Sequence, residues 1–339
     1  MKFKIHQQDL IQPLSNLVRI ASKMQPNIQI EAFENNIMKL SATNGSLILE
    51  YKIKADEISG EGVNVEAKNF YEIVSRLDKQ IEFDNGLIKN GKRKLTIGID
   101  VNINSKVVSL PDKASLNINL IDFKQVVKNR LFACSKQEYA EALRSICING
   151  DEIVTCDSNV LSIGKLKDPI GEILLSQELV WELIKVFDCD SVKMINDNNK
   201  LIFFNENITL TGFKVNADYP KYKQLLPKYS SNKIKLPKDE IIKNLELMSI
   251  VASKDKPTVS LIFENDKLQI VNVANKEDVM ELDIDFKDDK KQIAFNIEYL
   301  KNVLKNSDGD IELQFENPLS AAIFTTANDY IILMPTKVI

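Results

Sequence analysis

The sequence predicts an α+β protein made of three tandem copies of one helix–strands–helix–strands unit. Three observations carry this. Asp9–Ser22, Asp122–Ser135 and Glu240–Ser253 align without gaps at offsets of 113 and 118 residues. Each has apolar residues at helical spacing, at Leu10, Phe123 and Ile241 and again at Leu14, Val127 and Leu245. The same order of elements follows each of them.

The three aligned segments read as amphipathic first helices, each ending in Ser-Lys: Ser22-Lys23, Ser135-Lys136 and Ser253-Lys254. Alternating segments come next, with polar turn residues between them, as expected of hairpins. They are IMKLSAT and SLILEYKI, EIVTC and VLSIGKL, KLQIVNV and DVMELDI. Copies one and three also share Phe-Glu-Asn, at residues 33–35 and 263–265. A second helix recurs through Phe70, Ile73, Val74 and Leu77; Val180, Leu183, Ile184 and Phe187; and Leu300, Val303 and Leu304. The alternating segments QIEF, SVKM and DIELQF close the copies. Boundaries are expected near 116, after SLPDKAS, and near 234, in LPKYSSNKIKLP, giving units 1–116, 117–234 and 235–339.

Composition narrows the function. The chain of 339 residues is 44% hydrophobic and 27% charged, as in folded domains. Glycine, 11 residues, is at about half its usual share, which disfavours a nucleotide-binding α/β enzyme. One histidine, His6, leaves little imidazole for proton chemistry, and its place on the first strand suggests a structural role. Cys134, Cys147, Cys156 and Cys189 are spaced 13, 9 and 33 apart, which is no zinc pattern, and they read as buried free thiols of a cytosolic protein. The start has no apolar stretch of the signal-peptide kind, and no run of apolar residues is long enough to span a membrane. No metal or cofactor is expected.

Two motifs are set aside. Gly86–Arg93 nearly spells a phosphate loop, but Arg93 stands where the hydroxyl is needed, and its Asn-Gly pairs read as hairpin turns. Asp283 and Asp285 sit on one face of a strand segment and read as a solvent-facing edge. They remain the basis of one alternative, an α+β enzyme without a DNA role. A monomeric peptide-binding scaffold is the other.

Net charge is −4, yet the helices lean basic, with Arg19, Lys23, Arg76, Lys79, Lys124, Lys128, Lys185, Lys243, Lys301 and Lys305 mostly off the apolar stripes. Acid gathers instead in strands and turns. Six helices on one surface would make that surface basic while the chain stays acidic.

The threefold repeat, the segment Asp218-Tyr219-Pro220-Lys221-Tyr222-Lys223-Gln224-Leu225-Leu226-Pro227, the ending Ile332-Leu333-Met334-Pro335-Thr336-Lys337-Val338-Ile339, and the MKF start with Pro13-Leu14 resemble the bacterial DNA sliding clamp, the β subunit of the replicative DNA polymerase III. The resemblance covers the whole chain. It implies a head-to-tail homodimeric ring with helices inside and sheets outside, a non-catalytic processivity factor of the cytoplasm that encircles double-stranded DNA without regard to sequence. The ten helix cations would then face the duplex. The resemblance also implies a hydrophobic pocket between repeats two and three. Short linear motifs of the replicative polymerase, the clamp loader and repair proteins dock there. By position the pocket comprises Cys156, Ser158, Asn159, Val160, Leu161, Pro220, Gln224, Leu225, Ile332, Met334 and Pro335. Cys156–Leu161 occupies the family's T-D-G-H-R-L segment but carries Ser158, Asn159 and Val160 at the Gly, His and Arg positions.

Overall fold

The structure, a computed structural model, describes residues 1–102, 110, 111, 113, 115–229 and 231–338. Ser109, Asp112 and Ala114 of the expected first boundary, and the terminal Ile339, lie outside them. The helices are α1 (Gln7–Ile20), α2 (Ala67–Ser75), α3 (Leu120–Lys128), α4 (Glu141–Arg144), α5 (Gln177–Val186), α6 (Lys238–Val251) and α7 (Ile297–Lys305). The strands pair antiparallel throughout the described residues. The chain forms two compact units, residues 1–120 with 178–214 and residues 121–177 with 215–339. The expected second repeat is thus divided between them.

In the first unit a five-stranded sheet runs Glu57–Ser59, Lys2–His6, Gln80–Asp84, Leu87–Asn90, Arg93–Thr96. Leu87–Asn90 and Arg93–Thr96 are the hairpin expected in place of a phosphate loop. His6 ends its strand exposed and offers no side-chain cap to α1. A nine-stranded sheet begins with strands of repeat one. It passes from Leu47–Lys54 directly to Ile208–Phe213 and on through Lys200–Phe204, Ser191–Asp197 and Leu116–Asn119. Leu10, Leu14, Leu17 and Ile20 give α1 one buried stripe, which packs on the strands Ile37–Thr43 and Leu47–Lys54 and beside α2.

The second unit repeats the scheme. Its eight-stranded sheet joins repeat two to repeat three where Val160–Lys165 pairs with Asp329–Leu333. A four-stranded sheet runs Val279–Asp283, Lys267–Asn272, Thr258–Glu264, Lys291–Asn296. α6 buries Ile241, Leu245 and Met248, and α7 buries Ile297, Leu300, Val303 and Leu304, in a core with Phe263, Phe295 and Phe324. Repeats one and three share local chemistry as well. The carboxylate of Glu66 accepts the N–H groups of Lys68 and Asn69 at the start of α2, and Asn296 accepts those of Glu298 and Tyr299 at the start of α7. Both Phe-Glu-Asn segments put the Asn in the left-handed region, Asn35 at φ 59° and Asn265 at φ 54°.

Two expectations change. The first helix of repeat two stops at Lys128 instead of running to Ser135. Arg130 turns inward at 1% exposure to pair with the buried Asp329, its carbonyl accepts the Thr155 hydroxyl, and Asn129 bonds Asp308. These bonds anchor the chain just past the helix end, a short 3-10 turn, Leu131–Ala133, follows, and Cys134 is extended. Asp285, in turn, lies past the end of the strand Val279–Asp283, exposed near Lys287, so the two acids are not a paired site. Among the described residues no cluster of His, Cys, Asp or Glu could hold a metal ion.

The Arg130 guanidinium lies over Gly164, where a Cβ would stand 2.4 Å from its nitrogens. Among the described residues its Nε and Nη1 have no partner, and Asp329 is the one acid paired with this buried charge. Asp329→Ala should therefore lower unfolding free energy by about 3–5 kcal/mol in a urea titration. Arg130→Met added to Asp329→Ala should recover much of that loss, because no uncompensated charge is then buried.

Candidate functional site

The expected pocket residues fall on one sheet of the second unit. Cys156, Leu161 and Ile332 share a face and pack with Val154, Ile163 and Tyr222, flanked by Leu143, Cys147, Tyr219, Leu226, Ala321 and Tyr330. The pairing Cys156↔Leu161 and Leu161↔Ile332 sets them side by side. Pro220 and Pro335 are half-buried, Gln224 is exposed, Leu225 is 64% exposed and Met334 47% exposed. Val160 does not belong to this face. Side chains alternate along a strand, so Val160 turns the other way and is buried with Leu333 in the Phe263 and Phe295 core. Ser158 and Asn159 stand exposed on the turn before the strand.

Tyrosines dominate the polar chemistry of this face: Tyr219 and Tyr222 stand in the segment that carried the resemblance, but only Pro220, Gln224 and Leu225 of it were expected in the pocket. The Tyr219 hydroxyl lies 3.3 Å from Cys156 Sγ. That of Tyr222 donates to Glu152 at 2.7 Å and accepts from Asn149 at 2.9 Å. Burial pushes both hydroxyls well above the ordinary tyrosine range. The spacing of Tyr219 and Tyr222 around Pro220 was the available signal. The thiols are all free, but only Cys134 and Cys156 are buried; Cys147 and Cys189 are half-exposed, Cys147 because its strand borders this face.

Of the ten cations expected on helices, Lys23, Arg76 and Lys79 lie just past the ends of α1 and α2, and four of the ten pair with an acid of the same unit. Arg19 bonds Glu182 at 3.0 Å and Asn16 at 2.7 Å. Arg76 pairs with Glu72, Lys301 with Glu298, and Lys305 with Glu246. The Lys305 hydrogen bond, with its charge, holds the Glu246 carboxyl below its ordinary value. Lys185 lies 5.6 Å from the ring centre of the half-exposed Trp181. Lys23, Lys79, Lys128 and Lys243 are exposed, and Lys124 is half-buried. The field these helices present is mild.

Residues 223–336 match the family model of the DNA polymerase III beta subunit, C-terminal domain. Across the full length of both chains the sequence is 24% identical to the beta sliding clamp of Rickettsia felis. It is 21% identical to that of Bacillus subtilis over 98% of each chain. The DNA polymerase III subunit beta of Pseudomonas aeruginosa superposes with a TM-score of 0.90, covering 99% of this chain and 100% of that one at 18% identity. The chain is similar to the β sliding clamps along its whole length and has their fold from end to end. A sliding clamp of Bartonella birtlesii solved with griselimycin bound superposes equally well, at a TM-score of 0.90 and 20% identity, covering both chains fully. The resemblance drawn from the repeats and the end motifs therefore holds along the whole sequence. No helix among the described residues is long and apolar enough to cross a membrane.

The thiols give a pH signature. Burial, with the neighbouring Cys156 next, pushes Cys147 up to about 11. At pH 7.5 its alkylation by iodoacetamide, followed by mass spectrometry, should lag far behind that of the unfolded chain. It should rise about tenfold per pH unit until the thiol titrates. A thiol that stays protonated in the folded state but ionises in the unfolded one contributes stability that is lost as pH rises from about 9 to about 11.

Proposed function

We propose that this chain is a DNA sliding clamp, a non-catalytic processivity factor that closes into a ring around duplex DNA and tethers polymerase and other partners to it. The observation that carries the reading is the unit repeated three times in sequence, in a chain related to β sliding clamps throughout. The units of the ring are residues 1–116, 117–234 and 235–339, and its place of action is the cytoplasm, where the DNA is. Function is then topological. A closed ring prevents escape, so helices that meet phosphate only weakly are an advantage for sliding. Lys23, Lys79, Lys124, Lys128, Lys185 and Lys243 are the DNA-facing cations, joined by Arg19, Arg76, Lys301 and Lys305, whose charge is shared with acids.

Two surfaces support closure by a second copy. In the first unit a groove of about 530 Å³ runs between α2 and the edge strand Arg93–Thr96, with Ile73, Leu77, Leu95 and Ile97 among its walls. In the second unit α6 exposes Leu247, Ile250 and Val251, with Ile250 at 78% exposure. Seating that helix end in the partner's groove, twice by symmetry, gives a head-to-tail dimer. Pairing of the free edge Arg93–Thr96 with the free edge Val279–Asp283 would continue the sheet across the joint. The face of Cys156, Leu161 and Ile332 is the cleft for linear motifs of partner proteins.

The decisive experiment loads the protein onto a nicked circular plasmid with a clamp loader. The protein should stay on the circle through gel filtration and run off once the plasmid is linearised. Equal loss from both forms refutes the ring. A second measurement addresses the seam. Ile250→Glu, on an exposed helix surface, should convert a species of about twice 38.5 kDa into one of 38.5 kDa in sedimentation equilibrium. Its melting temperature should change little, because no core side chain is altered.

A further inference from the structure

The turn at the rim of the cleft is tied to α7 by a single hydroxyl. Asp157 Oδ1 accepts the N–H groups of Asn159 and Val160 at 2.6 and 2.9 Å, which closes the turn. Its Oδ2 accepts the Tyr299 hydroxyl at 2.8 Å. The same hydroxyl oxygen accepts Asn159 Nδ2 at 3.1 Å, so Tyr299 donates and accepts at once. The Asn159 carbonyl accepts the N–H of Met334 at 2.8 Å. Helix, turn and chain end therefore form one run of hydrogen bonds. Tyr299 itself is fixed on the first turn of α7, where its N–H bonds the capping Asn296. Burial, and then the bond to Asp157, push its hydroxyl above the ordinary tyrosine value, so it remains a donor at neutral pH.

We infer that Tyr299 is a positioning residue for the cleft, holding the 157–160 turn at a set distance from Met334 before any peptide arrives. The inference rests on the cleft being a peptide site. It also deepens that reading. The Asp157 carboxylate and the Asn159 amide are engaged in the latch, and no side chain of residues 156–161 carries positive charge. A peptide is therefore recognised here by apolar anchors and neutral polar groups, and an acidic residue gains no ion pair from this segment. A mouth fixed in advance spares the peptide the ordering of that turn on binding.

The test uses the full-length protein and a fluorescein-labelled peptide with one glutamine and leucine and phenylalanine anchors, read by polarisation. Tyr299→Phe and Asn159→Ala should each weaken binding about three- to tenfold. The double variant should bind no more weakly than Tyr299→Phe alone, since that change already removes the hydroxyl that Asn159 bonds. Asn159 is exposed, so Asn159→Ala reports on the latch even if Tyr299→Phe folds poorly; its melting curve should match that of the wild type. A wild type that binds while a folded Tyr299→Phe binds equally well overturns the inference, as do effects that multiply in the double variant. A wild type that captures no peptide overturns the cleft reading instead, and the two failures are told apart by the wild-type arm alone.

Discussion

The antiparallel pairing of Val160–Lys165 with Asp329–Leu333 is the constraint on which the candidate cleft depends. It joins strands that lie far apart in sequence, and strand alternation then decides which side chains meet. Leu161, Ile163 and Ile332 go to the cleft face, and Val160 and Leu333 go to the core under α6 and α7. A slip of one residue would exchange the two sets. The pair Arg130 and Asp329 resists that slip. Asp329 is opposite Gly164 in the register, and the guanidinium fits only because Gly164 has no side chain. A buried ion pair is weak evidence for stability, but one whose geometry fits only one register is well suited to specify it.

The same economy governs charge. A clamp must be attracted to DNA without being held by it, and each phosphate contact adds counterion release that slows movement. In this chain the helices pair four of their ten candidate cations with acids inside the same unit. Glu182 and Arg19 are the clearest case, because the acid is 8% exposed and draws the guanidinium toward the protein. A net charge of −4 is thus consistent with a DNA-encircling role, in which enclosure supplies retention and the residual helix field supplies only approach.

Much of this architecture was legible in the sequence because repeats amplify weak signals. One amphipathic helix predicts little, but three at matched positions predicted α1, α6 and the start of α3, and three second helices predicted α2, α5 and α7. Hairpins were legible from alternation and turn residues. What was hidden is non-local. Nothing near residue 130 announces that an arginine will turn inward to an aspartate 199 positions away, so the early end of α3 could not be read. Val160 was assigned to the cleft by its place in a motif, while its orientation was set by the strand's register with Asp329–Leu333. Tyr299 was missed for the same reason, since its partner Asp157 is 142 positions distant.

The proposed ring would make one more demand on the sequence. Each chain must keep two sheet edges open for its partner, and open edges invite aggregation. The edge at Arg93–Thr96 is basic, with Lys92, Arg93 and Lys94, while the edge at Val279–Asp283 is acidic, with Glu281 and Asp283 and Asp285 just beyond. Like edges repel and unlike edges attract, which favours the proposed head-to-tail contact. The apolar groove beside the basic edge and the apolar end of α6 then add the burial that charge alone does not supply. A heterologous contact of this kind grows without limit unless its rotation closes. In the proposed ring, three similar units per chain would give two chains six units with which to close it. The repeat first seen as a sequence pattern would then also be the device that ends the proposed assembly at two chains.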